Sequence, residues 1–236
     1  MTVQDILSEL AQMGSESTKK IFMRHGAVEP IYGVKVGDLK KIQKIIKKDY
    51  QLALDLYATG NSDAMYLAGL IADEKKMTKA DLQQWMEQAT WHMLSEYTVA
   101  WITSESRFGA ELANEWIESN SEKIAAGGWS TWSNVVTIKP DNELNINELS
   151  LLLDRVQRDI HSAQNRVRYA MNSFVIAVGG YVAALTEKAF SVAEAIGKVS
   201  VEMGDGTSCT VPVASDYLDK MMTMNKIGKK KKMARC

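Results

Sequence analysis

A chain of 236 residues has room for one large core or two smaller ones, and 46% hydrophobic with 24% charged residues is ordinary for a globular protein. It contains no run of about 18 apolar residues, and its N-terminus lacks the charged-then-apolar layout of a signal peptide, so a cytoplasmic protein without a membrane partner is expected. The net charge of −1 hides an asymmetry: the last eleven positions hold six basic residues and no acid, which leaves 22 basic and 29 acidic residues, net −7, in the other 225.

Taken in chain order, the pattern is helix after helix. Residues 2–13 carry Val3, Ile6, Leu7 and Leu10 at helical spacing, and a second helix over about 15–25 ends before the loop Gly26 to Gly33. The next, about 37–48, places Leu39, Ile42, Ile45 and Ile46 on one side. Lys40, Lys41, Lys44, Lys47 and Lys48 fall within an arc of about 120° on the other. After Leu52 to Ala58 and a Gly60-Asn61 break comes a helix over about 62–73, and Thr78 with Asp81 forms a capping-box pattern that opens the helix holding Leu82, Trp85 and Met86.

Further helices are predicted near 91–105, 107–119, 121–137, 146–160, 164–178 and 180–197, joined by links of a few residues. Short links between similar helices make antiparallel neighbours, and successive pairs without strands point to an all-α α-α superhelix of HEAT-like repeats over residues 1–198. Residues 199–236 are expected to differ. Val199 to Met203 and Thr207 to Val211 read as a small β-hairpin around Gly204-Asp205-Gly206, followed by a short helix near 213–224 and the basic tail.

Several chemistries lose support at once. No Gly-x-Ser-x-Gly, Walker or Rossmann signature is present. Cys209 and Cys236 suggest neither a disulfide framework nor a zinc site. Of His25, His92 and His161, only His92 has a carboxylate one turn on within the same predicted helix, Glu96, a spacing typical of a surface interaction. No metal and no cofactor is expected.

The stronger signal is aromatic. Trp85, Trp91, Trp101, Trp116, Trp129 and Trp132 are core candidates, but on the inner helices of a solenoid such rings can also face a groove and a nucleic acid. In an α-helix, Trp91, Leu94, Ser95, Thr98, Trp101 and Ile102 share a face, while Glu96 points away beside His92.

Between about Tyr32 and Tyr181 the sequence resembles the DNA alkylation repair glycosylases of the AlkD type. The likeness rests on Tyr32-Gly33-Val34-Lys35-Val36-Gly37-Asp38-Leu39-Lys40-Lys41-Ile42, Leu54-Asp55-Leu56-Tyr57, Leu67 to Asp73, Trp85 and Trp91, Glu115-Trp116-Ile117, and Arg166 to Asn172. The resemblance implies HEAT-like helix pairs and removal of cationic N3- and N7-alkylated purines from DNA. It also implies a tryptophan followed one and four residues later by aspartates, the second of them catalytic. Trp91 matches the tryptophan, but His92 and Ser95 stand at the aspartate positions. The family's arginine falls near Ala125-Ala126 and its second tryptophan near Ser173.

A serine hydroxyl carries no charge to stabilise an oxocarbenium-like transition state, and loss of such a group removes several kcal/mol of stabilisation. Trp91, Ser95 and Glu96 are therefore the candidate catalytic positions. Lys40, Lys44, Lys47, Trp91, Arg168 and the tail lysines Lys229, Lys230, Lys231 and Lys232 are the candidate nucleic-acid contacts. Three readings follow: a DNA-binding member with weak or absent base excision, its partner duplex DNA with or without alkylation; an active alkylpurine glycosylase that uses Glu96, brought round by a helix bulge, or another acid; and a scaffold for a protein partner.

Overall fold

A computed structural model describes residues 1–204 and 210–235, all helix, turn and loop among those residues. The chain divides into two compact units. The first is built on Met1–Phe108 and also includes Arg235. It holds α1 (Val3–Met13), α2 (Glu16–Arg24), α3 (Val36–Ile46), α4 (Tyr50–Ala58), α5 (Ser62–Ile71) and α6 (Lys79–Gln88), then a π-helical segment, Met93–Val99, that continues into α7 (Ala100–Glu105).

Its centre is α5, buried along its whole length. Asn61 caps the start of α5 by accepting from the backbone N–H of Asp63 and Ala64, which satisfies donors that a buried helix end cannot leave open. Helix α4 packs along α5 as its antiparallel partner, and α3 and the π-helical segment also pack against it. The approach of that segment depends on Gly69, because a Cβ there would lie 2.4 Å from Thr98 Cγ2. The capping boxes Thr2–Asp5 and Thr78–Asp81 are both formed.

The second unit is built on Gly109–Glu202 with residues 210–234. It comprises α8 (Gly109–Ile117), α9 (Glu122–Ile138), α10 (Ile146–Asp159), α11 (Asn165–Tyr181), α12 (Thr186–Ile196) and α13 (Ala214–Thr223). The two 17-residue helices α9 and α11 pack along each other, with Trp129 edge-on to Phe174 at 5.2 Å between ring centroids. Helix α8 covers α9, while α12 packs on both α10 and α11. Gly179 and Gly180 let α13 close onto α11, since Cβ atoms there would meet Leu218 and Met221 within 3 Å. Helix α11 therefore runs through both glycines to Tyr181, beyond the boundary expected near 178.

Two expectations are corrected at the C-terminus. No strand forms on either side of the expected hairpin turn, and residues 205–209 of that turn lie outside the described residues. The flanks take their hydrogen bonds from side chains of α11 instead of from each other. Asn165 Nδ2 donates to the Glu202 carbonyl and its Oδ1 accepts from the Glu202 N–H, while Asn172 Nδ2 donates to the carbonyl of Pro212. Nor does the chain divide at 198/199. Val199, Ala214 and Leu218 join the hydrophobic core of the second unit, and Val201 and Val211 pack against it.

Candidate nucleic-acid interface

Trp91 to Glu96 does not form the one-faced helix expected from its spacing. From Met93 to Val99 the backbone winds as a π-helix, and Thr98 Oγ1 donates back five residues to the Met93 carbonyl at 3.3 Å. Such wider turns rotate successive side chains less than an α-helix does, and they recur at functional sites. Leu94, Ser95 and Glu96 are all buried, as is every residue from Thr98 to Ser104.

Ser95 is 1% exposed, and its hydroxyl points back toward the Trp91 carbonyl at 3.5 Å. Glu96, placed at the surface by the helical spacing, is only 5% exposed. Trp91 is 8% exposed, its ring tilted against Phe22 at 5.7 Å and edge-on to His92 at 5.2 Å. Trp91 and Ser95 therefore take an interior position and do not form an open face.

Phe22, Ile31, Leu39, Asp63, Tyr66 and Trp91 are among the residues around a cavity of about 20 Å³. That is room for roughly one water molecule, far less than a purine extruded from a duplex needs. Asp63, the carboxylate on its wall, is already engaged. Its Oδ2 accepts from the N–H groups of Tyr32 and Gly33, at 2.6 and 3.1 Å, and its Oδ1 from Val34 at 2.9 Å. Burial raises the Asp63 pKa, and these backbone donors only partly pull it back. Gly33, at φ +77°, lies against the backbone of Lys19 and Ser15, where a Cβ would meet the Lys19 nitrogen at 2.5 Å. The Tyr32-Gly33-Val34 stretch thus has a structural role: it closes over a buried carboxylate.

The lysine face of α3 is an open basic surface of the first unit. Leu39 and Ile42 are buried against the unit, while Lys44 and Lys47 are exposed and Lys40 is half-buried. Lys41 pairs with Asp38 and Lys48 with Glu74, whereas Lys40, Lys44 and Lys47 have no ion-pair partner among the described residues.

The tail lysines divide by role. Lys230 Nζ donates to the Val136 carbonyl near the end of α9 and pairs with Asp141, both at 2.8 Å, a cation placed against a helix C-terminus. The Lys231 N–H donates to the Thr137 carbonyl, and its ammonium lies over the Tyr181 ring at 5.6 Å. Lys229 and Lys232 are exposed. Arg168, half-buried on the first turn of α11, lies 3.4 Å from Asn165 Oδ1. Ala125 and Ala126, where the family's arginine falls, belong to the core of the second unit, and Ser173 is half-buried on α11.

Sequence reasoning missed one cation altogether. Arg235 is 8% exposed in its side chain within the first unit. Its guanidinium pairs with Glu74 and Glu105 at 2.6 and 2.5 Å and donates to the Ala72 carbonyl just beyond α5. Only its place in a basic tail was legible, and that suggested solvent.

A family model described as DNA alkylation repair enzyme matches residues 6–200. The chain belongs to that family. This DNA alkylation repair family member is 35% identical over 226 residues to an uncharacterised protein of Listeria innocua, covering 93% of this chain and 97% of the relative. It is 34% identical over 232 residues to an uncharacterised Listeria monocytogenes protein, covering 96% of this chain and 100% of the relative. A solved structure matches over 100% of both chains at 38% identity with a TM-score of 0.91. It is described as a new family of proteins related to the HEAT-like repeat DNA glycosylases with affinity for branched DNA structures. The family member described here shares that all-α, HEAT-like repeat architecture.

Proposed function

We propose that this protein binds DNA, with branched structures preferred, and does not excise bases through the Ser95 position. The observation that carries the proposal is Ser95 itself. Where the resemblance places a catalytic aspartate, the chain has a hydroxyl, buried at 1% exposure and turned toward its own helix. Base excision there would have no free carboxylate, since Asp63 on the cavity wall is held by three backbone N–H groups, and no space for a purine beside Trp91. Binding needs neither, and the full-length likeness to a protein with affinity for branched DNA supports it.

Lys40, Lys44 and Lys47 are the phosphate contacts in this reading, with Lys229, Lys232 and Arg168 contributing from the second unit. If the three α3 lysines each neutralise one phosphate, they supply about −2.7 of the slope of log K against log salt. Fluorescence anisotropy with a four-way junction and a linear duplex tests this. Binding should be tighter to the junction and fall with salt, and the Lys40→Ala/Lys44→Ala/Lys47→Ala variant should have the slope reduced by about that amount. No binding to either DNA at low salt would sink the reading.

One observation favours an active enzyme that uses Glu96: the π-helical winding is the kind of bulge such a substitution needs. Incubation with methylated DNA decides between the two. Our reading expects no release of 7-methylguanine or 3-methyladenine above a no-protein control, and release abolished by Glu96→Gln would replace it with the enzymatic one.

A further inference from the structure

The tail offers a run of four lysines, Lys229 to Lys232, and one arginine, and the arginine is the residue that is buried. Lys229 and Lys232 are exposed, and Lys230 and Lys231 are held at the Val136 and Thr137 carbonyls, whereas the Arg235 side chain is 8% exposed. Every nitrogen of its guanidinium has an acceptor. Nε donates to Glu105 Oε2 at 2.8 Å, Nη1 to the Ala72 carbonyl at 2.9 Å and Nη2 to Glu74 Oε2 at 2.6 Å. Nη2 also lies 2.5 Å from Glu105 Oε2, and Glu105 Oε1 accepts the Arg235 backbone N–H at 3.1 Å. These acceptors come from three places in the first unit: the residue that caps α5, the loop after it and the last residue of α7. Both carboxylate side chains are largely buried, Glu74 at 14% and Glu105 at 10% exposure. Lys48 also pairs with Glu74, but through a side chain half exposed to solvent. Two carboxylates brought this close disfavour each other's charge unless a cation stands between them, so the site is built around one.

We infer that Glu74, Glu105 and the Ala72 carbonyl form a guanidinium-specific binding site, which Arg235 fills in cis and which accepts an alkylguanidinium supplied in trans when the Arg235 side chain is removed. The ligand class follows from the geometry. A guanidinium is a flat fork whose donors diverge in one plane, and it meets acceptors on three sides at once. An ammonium is a compact, strongly hydrated point charge and does not span them. Pairing of this charge-assisted kind is about twice as strong as neutral hydrogen bonding. The acceptors are supplied by the body of the first unit, so deleting the tail's side chain removes the ligand and leaves the receptor. The site therefore reads an arginine-bearing chain end, and the protein's own tail is its tethered ligand.

Thermal melts followed by circular dichroism, with methylguanidinium chloride as the probe and methylammonium chloride as its control, test the inference. Arg235→Ala should melt about 10 °C below wild type. Methylguanidinium at roughly 10 mM, about the effective concentration of a short tether, should raise that midpoint in a saturable way, and methylammonium should not. Wild type should not respond, because its site is filled. Arg235→Lys keeps the charge and should still lose about half of the difference or more. Where Arg235→Ala does not fold by itself, the same titration is read as recovery of the helical signal. No response to methylguanidinium, or an equal response to methylammonium, overturns the site. A response that survives Glu105→Gln in the Arg235→Ala background overturns it too. So does an Arg235→Lys variant as stable as wild type, which makes the position a general cation contact.

Discussion

At the scale of single residues, the decisive position is Ser95. Replacing it with aspartate would restore the family's charge but place an unpaired carboxylate at 1% exposure. Buried charges without partners are strongly disfavoured. Ser95→Asp is therefore expected to reduce the unfolding free energy by more than about 3 kcal/mol without creating base excision, as urea denaturation and a methylated-DNA assay would show. A stable variant that releases alkylated purines would refute the interior placement of this position. Trp91→Ala should cost about 3–5 kcal/mol, the range for emptying a large buried aromatic site, and denaturant titration measures it. The identities at positions 91, 92 and 95 were legible in the sequence, and so was the missing acid. Burial was not legible there, because a helix wheel reports direction around one axis and not what stands on each side of it.

At the scale of elements, the π-helical segment and α5 depend on each other through a single glycine. Gly69→Ala places a methyl 2.4 Å from Thr98 Cγ2, so the two helices must separate or Thr98 must turn. The expected loss is about 1–3 kcal/mol, typical of overpacking a tight interior. Adding Thr98→Ser removes the clashing methyl and keeps a hydroxyl for the Met93 carbonyl, so the double variant should regain most of the loss in a thermal or urea melt. Independent, additive effects would contradict the contact. Most helices were legible from period and caps: Thr2–Asp5 and Thr78–Asp81 cap as their spacing requires. The hairpin was misread because Val199, Val201 and Val211 satisfy a strand pattern equally well as loop residues that fill a core. Only the amides of Asn165 and Asn172, which are distant in sequence, decide between the two.

At the scale of the whole molecule, charge is distributed differently from the sequence impression of a loose basic tail on an acidic body. Lys230 neutralises the end of α9 and Arg235 the end of α5, each within its own unit. Arg235→Ala leaves Glu74 and Glu105 without their shared guanidinium and should destabilise the first unit by about 3–5 kcal/mol in urea denaturation. Burial tends to raise the Glu74 pKa, but hydrogen bonds from Lys48, from its own backbone N–H and from Arg235 together outweigh it and hold the carboxyl below its ordinary value of 4.5. Since the folded pKa is the lower one, the stability Glu74 contributes is complete above about that pH and disappears as pH falls through the folded value. Acid unfolding monitored by circular dichroism should therefore show less stability lost below pH 4.5 in Glu74→Gln than in wild type. The sequence by itself determined the all-α class, the family likeness, the absent aspartate and the lysine face of α3, because periodicity and residue identity are local properties. Only the tertiary structure decided that Trp91 and Ser95 face inward and that Lys230 and Arg235 are anchors. Burial and pairing depend on neighbours that the chain brings together from distant positions.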